Sequence, residues 1–281
     1  MNPSLFISHG APNIIFSDLK SKKSIQNLKK ILNTPKYIII VSAHYVTKNL
    51  KVINPIANSL MYDFYGFEKE LYEFKYNIKS DLNLTNNLIE KLKNQGIDIS
   101  IDENRTSYDH GVWSVLSLIY EKLEIPVIQL SIPISYTISE FLNLGEKLKI
   151  FKDDALLVFS GGVTHNLSEM GYEDTKNYAK EFNNTIKDIV ENGKIEELKN
   201  ISKDKNFYKN HPTTEHFIPL LLAFGSAFNK KGESFNSEIY IQISLWKVLF
   251  LIKKRYKNDK KITKREYGKI KFRLVTKSFS L

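Results

Sequence analysis

Short unbroken apolar runs alternate along this chain with longer stretches in which apolar residues recur every three or four positions. The runs at 4–8, 37–43, 126–132 and 155–160, with a weaker one at 98–102, are rich in Ile, Val, Leu and Phe. That pattern predicts strands covered on both faces. Between them, Leu84 to Gln95 carries Leu84, Leu88 and Leu92 at helical spacing and stops before Gly96. Val112 to Leu123 sets Val115, Leu116, Ile119 and Tyr120 on one helical face, and Phe217 to Phe228 carries Leu220, Leu221 and Leu222. Thr137-Ile138-Ser139-Glu140 precedes Phe141, Leu142 and Leu144. A hydroxyl and a carboxylate at that spacing satisfy free helix amides, so a helix starts there. Tyr172 to Asn200 is a long, charged helix expected to bend near Gly193.

Strands alternating with helices, with no Pro- or Gly-rich linker and no internal repeat, predict one α/β domain. Its central sheet should be mixed, largely parallel and flanked by helices. Ligands of such sheets bind beyond the carboxyl ends of the strands, so the active site belongs there.

The polar residues at those ends include histidine repeatedly. His9 closes Leu5-Phe6-Ile7-Ser8-His9-Gly10, His44 closes Tyr37-Ile38-Ile39-Ile40-Val41-Ser42-Ala43-His44, and His165 follows Leu156 to Thr164. His110 sits in Tyr108-Asp109-His110-Gly111, and His211 and His216 share His211-Pro212-Thr213-Thr214-Glu215-His216. Imidazole ligates transition metals and exchanges protons near neutral pH, so a rim of histidines suits zinc or open-site ferrous iron. Adjacent helical residues point about 100° apart, so one of Glu215 and His216 would face an ion. Spacing alone leaves a three-histidine and a two-histidine, one-carboxylate site both open. His165, after Gly161-Gly162, is a fourth ligand or a proton-transfer residue. His110 binds substrate or shuttles protons; Asp109 is a substrate contact or a helix cap. His211 receives no role.

Composition narrows the chemistry. The 281 residues are 42% hydrophobic and 26% charged, an ordinary globular balance, and contain no cysteine. Disulfides, thiolate zinc sites and cysteine nucleophiles are thereby excluded. The N-terminus lacks a signal-peptide pattern, and the apolar stretch near Leu245–Ile252 is too short to span a bilayer, so a cytoplasmic protein is the expectation. The net charge of +10 is concentrated at the end: 247–281 carry 13 Lys or Arg against two acids, leaving 1–246 at −1. A solvated basic extension over 246–281 is the expectation, without a specific nucleic-acid module. Phosphate-loop, dinucleotide, nucleophile-elbow and His-Glu-x-x-His motifs are all absent from the sequence.

Five segments in order resemble the class III extradiol ring-cleavage dioxygenases, in their DOPA-dioxygenase-type branch. They are Ser8-His9-Gly10-Ala11-Pro12, Ser42-Ala43-His44-Tyr45, Asp109-His110-Gly111-Val112-Trp113, Ser160-Gly161-Gly162-Val163-Thr164-His165-Asn166-Leu167, and Pro212-Thr213-Thr214-Glu215-His216-Phe217-Ile218-Pro219-Leu220. Tyr62-Asp63-Phe64-Tyr65-Gly66-Phe67 resembles a further segment, with Tyr65 in place of a glycine and Glu68 where the branch tends to carry proline. The resemblance implies a catalytic domain over 1–245 that cleaves a catechol-like aromatic beside its diol with O2. It implies His9, His44 and His216 as metal ligands, His165 as the acid–base residue and His110 as a second active-site histidine. It implies Fe(II) as the working ion, with Zn(II) as another that the site binds. Tyr45, Asp109, Phe64 and Trp113, with Phe67, are the candidate substrate-binding residues. Two rival readings use the same scaffold: a zinc hydrolase and a non-catalytic binding protein. A homo-oligomer is compatible with the sequence.

Overall fold

In the computed structural model the described residues are 1–169, 173–234, 238–240, 244–246 and 248–251. Most of the basic extension lies outside them. The strands are β1 (Ser4–Ser8), β2 (Tyr37–Thr47), β3 (Lys51–Ile53), β4 (Ser59–Leu60), β5 (Ser100–Asp102), β6 (Ser107–Tyr108), β7 (Val127–Pro133), β8 (Ala155–Gly161), β9 (Gly232–Ser234), β10 (Glu238–Tyr240), β11 (Ser244–Trp246) and β12 (Val248–Leu251). Eight of these form one sheet in the order β5-β3-β7-β2-β8-β1-β12-β9, and the pairs β4–β6 and β10–β11 make two small ribbons. The core strands β7, β2, β8 and β1 are mutually parallel, and β12 and β9 close one edge antiparallel. The sheet is therefore mixed and largely parallel at its centre, as the pattern predicts. It continues past residue 245, because Val248 to Leu251 pair with Ile7 to Ser4.

The helices are α1 (Lys20–Asn27), α2 (Lys69–Glu73), α3 (Leu82–Lys93), α4 (His110–Ile119), α5 (Ile138–Leu148), α6 (Glu173–Asn192), α7 (Ile195–Lys199), α8 (Phe207–Asn210) and α9 (Ile218–Gly225). The Thr137–Glu140 capping box forms with both reciprocal bonds. The long charged segment breaks where expected, at Gly193 with φ +71°; Tyr172 falls outside the described residues. Helix α4 ends at Ile119, earlier than the apolar spacing suggests, because Tyr120 turns extended.

Two neighbouring residues on β8 show how the layers are arranged. Side chains alternate across a strand. Ser160 Oγ donates to the Gly111 carbonyl of α4 at 2.6 Å, whereas a Cβ on Gly161 would strike the His216 carbonyl and Pro219 of α9. Helices α4 and α9 thus cover opposite faces, and both approach the carboxyl end of β8. Between them β1, β2, β7 and β8 are buried almost throughout, with Leu5, Phe6, Ile38, Ile40, Leu156 and Val158 each fully enclosed. Helices α5 and α9 meet through glycine: a Cβ on Gly145 would lie 2.2 Å from the Leu222 carbonyl.

Candidate metal centre and active site

The strand ends deliver the histidines. His9 follows β1, and its neighbour Gly10 takes φ +55°, a turn that L side chains adopt rarely. Strand β2 does not stop at Ala43. Its ladder with β7 shifts register between Val41 and Val46 before pairing resumes to Thr47. His44 lies in that irregularity, a device common beside active sites because it re-aims a side chain. His110 opens α4, His216 precedes α9, and His165 follows the Gly161-Gly162 end of β8. The Gly162 N–H donates to the His216 carbonyl at 2.8 Å, and His165 N–H to the Asn210 carbonyl at 2.8 Å.

Five imidazoles converge as a result. Ring centroids of His9 lie 5.0 Å from His44, 5.5 Å from His110 and 5.3 Å from His216. His44 lies 4.0 Å from His110 and 5.0 Å from His216, and His165 stacks on His216 at 3.4 Å with a 7° interplanar angle. Two groups have their ligating atoms within 4.8 Å of one another: His9, His44 and His110, and His165, Glu215 and His216. The His216 ring stands between the groups, near both His9 and His44, and Glu215 lies behind it on Nδ1.

Three of the rings are oriented by specific acceptors. The Ser160 hydroxyl proton is spent on Gly111, so Ser160 Oγ accepts from His9 Nδ1 at 2.8 Å. Asp63 Oδ1 accepts from both the backbone N–H and Nδ1 of His110, at 3.0 and 2.9 Å, and its Oδ2 lies 3.5 Å from His44 Nδ1. Glu215 Oε1 accepts from His216 Nδ1 at 3.1 Å and from Thr213 Oγ1 at 2.9 Å. Protons held on Nδ1 leave Nε2 of His9, His110 and His216 as free lone pairs, and such backing acceptors set ligand orientation and basicity.

Four of the rings are also pushed towards the neutral form. Burial, reinforced by the neighbouring imidazoles, lowers the pKa of His9 and His216 well below the ordinary histidine value. His44 falls to about 4, with burial and His110 outweighing the opposing charges of Asp109 and Asp63. Burial lowers His165 as well, against the pull of Glu215. Asp63 goes to about 2: burial opposes, but hydrogen bonds from His110 and the charges of His110 and His44 prevail. Neutral, deprotonated nitrogens are what a metal requires.

A test of fit lies between His9 and His44, whose Nε2 atoms face each other at 3.0 Å. Two lone pairs at that distance repel unless a cation or a shared proton lies between them. The spacing also suits two ligands of one ion with bonds of roughly 2.0–2.1 Å. A transition metal fits this donor set.

The aromatic and acidic candidates divide. Phe64 sits edge-on to His110 at 5.7 Å and packs on Phe67 at 5.3 Å, so it flanks the centre. Trp113 is fully buried, with Nε1 donating to the Met61 carbonyl at 3.0 Å. Tyr45 is 3% exposed, with its hydroxyl bonded to Asp102 and its ring under Arg105. Asp109 is fully buried and takes bonds from Ser42, Arg105 and Gln129 at 2.6, 2.8 and 2.6 Å. The polar atoms of these three are engaged by protein partners, through which they support the wall of the centre. His211 gains an assignment. It is buried among Phe182, Phe207 and Phe217, and its Nε2 donates to the Val163 carbonyl at 2.8 Å, pinning the turn that leads to His165.

Sequence reading did not single out Asp63, Arg105, Gln129 or Ser160 for these supporting roles. Their signal is only the proximity of Asp63 to an aromatic segment and of Ser160 to a strand end. The partners they orient are remote in sequence.

Comparison with known proteins then places the chain. Residues 3–248 match the model of the family described as the catalytic LigB subunit of aromatic ring-opening dioxygenase. The chain belongs to that family, and within it to the class III extradiol enzymes. A 4,5-DOPA dioxygenase extradiol of Beta vulgaris is 33% identical over 243 residues, covering 84% of this chain and 89% of that protein. Its namesake in Escherichia coli K12 is 33% identical over 231 residues, covering 80% and 84%. The crystal structure of an uncharacterised Escherichia coli K12 protein, JW3007, superposes with a TM-score of 0.74 at 26% identity, covering 89% of this chain and 99% of that one. The chain is thus a LigB-type dioxygenase of the DOPA-dioxygenase kind. Among the described residues no helix is long and apolar enough to cross a membrane.

Proposed function

We propose that this LigB-family chain opens the ring of a catechol-like aromatic of the DOPA type with O2, cleaving beside the diol. His9, His44 and His216 would hold the ion, Fe(II) in the working enzyme, with Zn(II) a second ion that the donor set suits. When bound, the ion would polarise the diol oxygens and bring O2 and substrate to one centre. The remaining chemistry belongs to the side chains.

His165, kept neutral by burial and stacked beside His216, would take the catechol hydroxyl proton on its free imidazole nitrogen and return it later. Such positioned proton transfer contributes about 10²–10⁴-fold. His110, with Nδ1–H committed to Asp63, presents Nε2 as an acceptor to a second hydroxyl. Phe64 lies edge-on beside His110 and would flank a substrate ring bound there.

The observation that carries this reading is the convergence of five imidazoles, three of them with an acceptor bonded to Nδ1, at the carboxyl ends of the central strands. The test is a His165→Ala variant assayed beside the wild type after anaerobic Fe(II) loading. Turnover of a catechol panel should fall at least about 100-fold while bound metal stays near one per chain. Loss of the metal would make His165 a ligand, and unchanged turnover would remove it from the chemistry.

A further inference from the structure

The loop between β4 and α2 reaches the histidine centre through two adjacent side chains, Asp63 and Phe64. Met61 anchors its base: its N–H donates to the Tyr108 carbonyl at 2.7 Å, and its own carbonyl accepts from Trp113 Nε1. Gly66, at φ +78°, turns the far end, where Tyr65 is 92% exposed. Asp63 is the polar contact between these points. One of its oxygens takes both donors of His110 and the other faces His44 Nδ1 at 3.5 Å. The next residue, Phe64, lies against His110.

A carboxylate is acceptor-only when ionised, so a proton of His110 must sit on Nδ1, which in the neutral ring is the tautomer that leaves the lone pair on Nε2. The backbone bond from the His110 N–H also ties the carboxylate to the start of α4, so ring and helix are set by the same group. We propose that Asp63 is a positioning residue that selects the His110 tautomer and registers loop 61–67, with Phe64, against His44 and the metal centre. It acts through His110 and touches neither metal nor substrate. This rests on the proposed function for its catalytic consequence, and on geometry alone for the tautomer.

The test separates the two. Histidine side-chain nitrogens of the ¹⁵N-labelled, metal-free full chain are read by long-range ¹H–¹⁵N correlation. In the wild type His110 should show a protonated Nδ1 and a bare Nε2. His211, whose Nε2 proton is held by Val163 far from the loop, reports native folding. In Asp63→Ala, with the His211 signal native, the His110 proton should move to Nε2 in a large fraction of molecules. In the Fe(II)-loaded enzyme kcat should then fall about 10–100-fold, with KM moving much less. Asp63→Asn, whose amide oxygen accepts the same two bonds, should keep the Nδ1 proton and recover most of kcat. A protonated Nδ1 persisting in a folded Asp63→Ala variant overturns the proposal. If the alanine variant fails to fold, loss of the Nδ1 proton in Asp63→Asn overturns it and retention supports it. A wild type that opens no catechol would sink the proposed function and leave the tautomer result to decide this inference.

Discussion

Replacing Gly161 by alanine tests how tightly the end of β8 is built around the histidine cluster. The added Cβ would lie 2.3 Å from the His216 carbonyl oxygen and 3.0 Å from Pro219 Cγ. The first is a backbone atom that already accepts the Gly162 N–H at 2.8 Å, so relief requires α9 and His216 to move away by the better part of an ångström. Overpacking of a tight interior costs about 1–3 kcal/mol, and weakening a buried hydrogen bond adds about 1 kcal/mol. Exchanging glycine for alanine in a strand returns roughly 0.5–1 kcal/mol. The net expectation is a loss of about 1–3 kcal/mol in urea unfolding of the apo-protein. Because His216 moves with its carbonyl, affinity for Zn(II) in a chelator competition should also fall by about 10-fold or more. Gly162→Ala is the paired control: its Cβ would meet the Thr164 carbonyl at 3.1 Å and His216 Cβ only at 3.8 Å, so it should lose less of both. A Gly161→Ala protein as stable as the wild type, with unchanged Zn(II) affinity, would refute the reasoning.

Three further outcomes follow from the same geometry. Ser160→Ala removes the acceptor for His9 Nδ1 and should weaken metal binding about 10–100-fold, read by competition titration; unchanged affinity would mean that His9 orients without it. Asp109→Ala strands Arg105 and Gln129 beside a buried gap and should cost about 3–5 kcal/mol, against a surface-like change of under about 0.5 kcal/mol if the network is idle. His211 has a pKa of about 4 when folded, lowered chiefly by burial against the bond to Val163. The unfolded chain, titrating near 6.5, therefore binds more protons between pH 6.5 and 4. Its contribution, about 3 kcal/mol, is present above pH 6.5 and lost as pH falls towards 4. The apo-protein of His211→Gln should show a shallower acid limb over that window than the wild type, and parallel limbs would contradict it.

Much of the fold and part of the site were legible in the chain. The apolar runs at 4–8, 37–43, 126–132 and 155–160 mark the parallel strands because burial on both faces demands unbroken apolar residues. His9, His44 and His165 stand out because those runs end in polar residues. The continuation of β2 to Thr47 was hidden, since its register shift places Ser42 and His44 within a strand that reads as finished. The pairing of Val248–Leu251 with β1 was hidden as well, because it joins segments from opposite ends of the chain. Hydrogen-bond partners remained beyond sequence reading for the same reason. Ser160 and His9 are separated by 151 positions and Asp63 and His110 by 47, and nothing local couples them. The burial of the aromatic and acidic candidates was hidden for another reason. Tyr45, Asp109 and Trp113 lie next to site histidines in sequence, but their side chains are enclosed by packing that spacing does not disclose.

The central claim is that the histidine cluster binds a metal with which the chain opens catechols using O2. Its most direct test is an oxygen-electrode and absorbance assay of anaerobically Fe(II)-loaded full-length protein given a catechol panel and then air. The account predicts stoichiometric O2 uptake with appearance of a ring-opened, visible-absorbing product, abolished in the His9→Ala, His44→Ala and His216→Ala variants. Metal bound at one ion per chain with no O2 uptake on any catechol would contradict it.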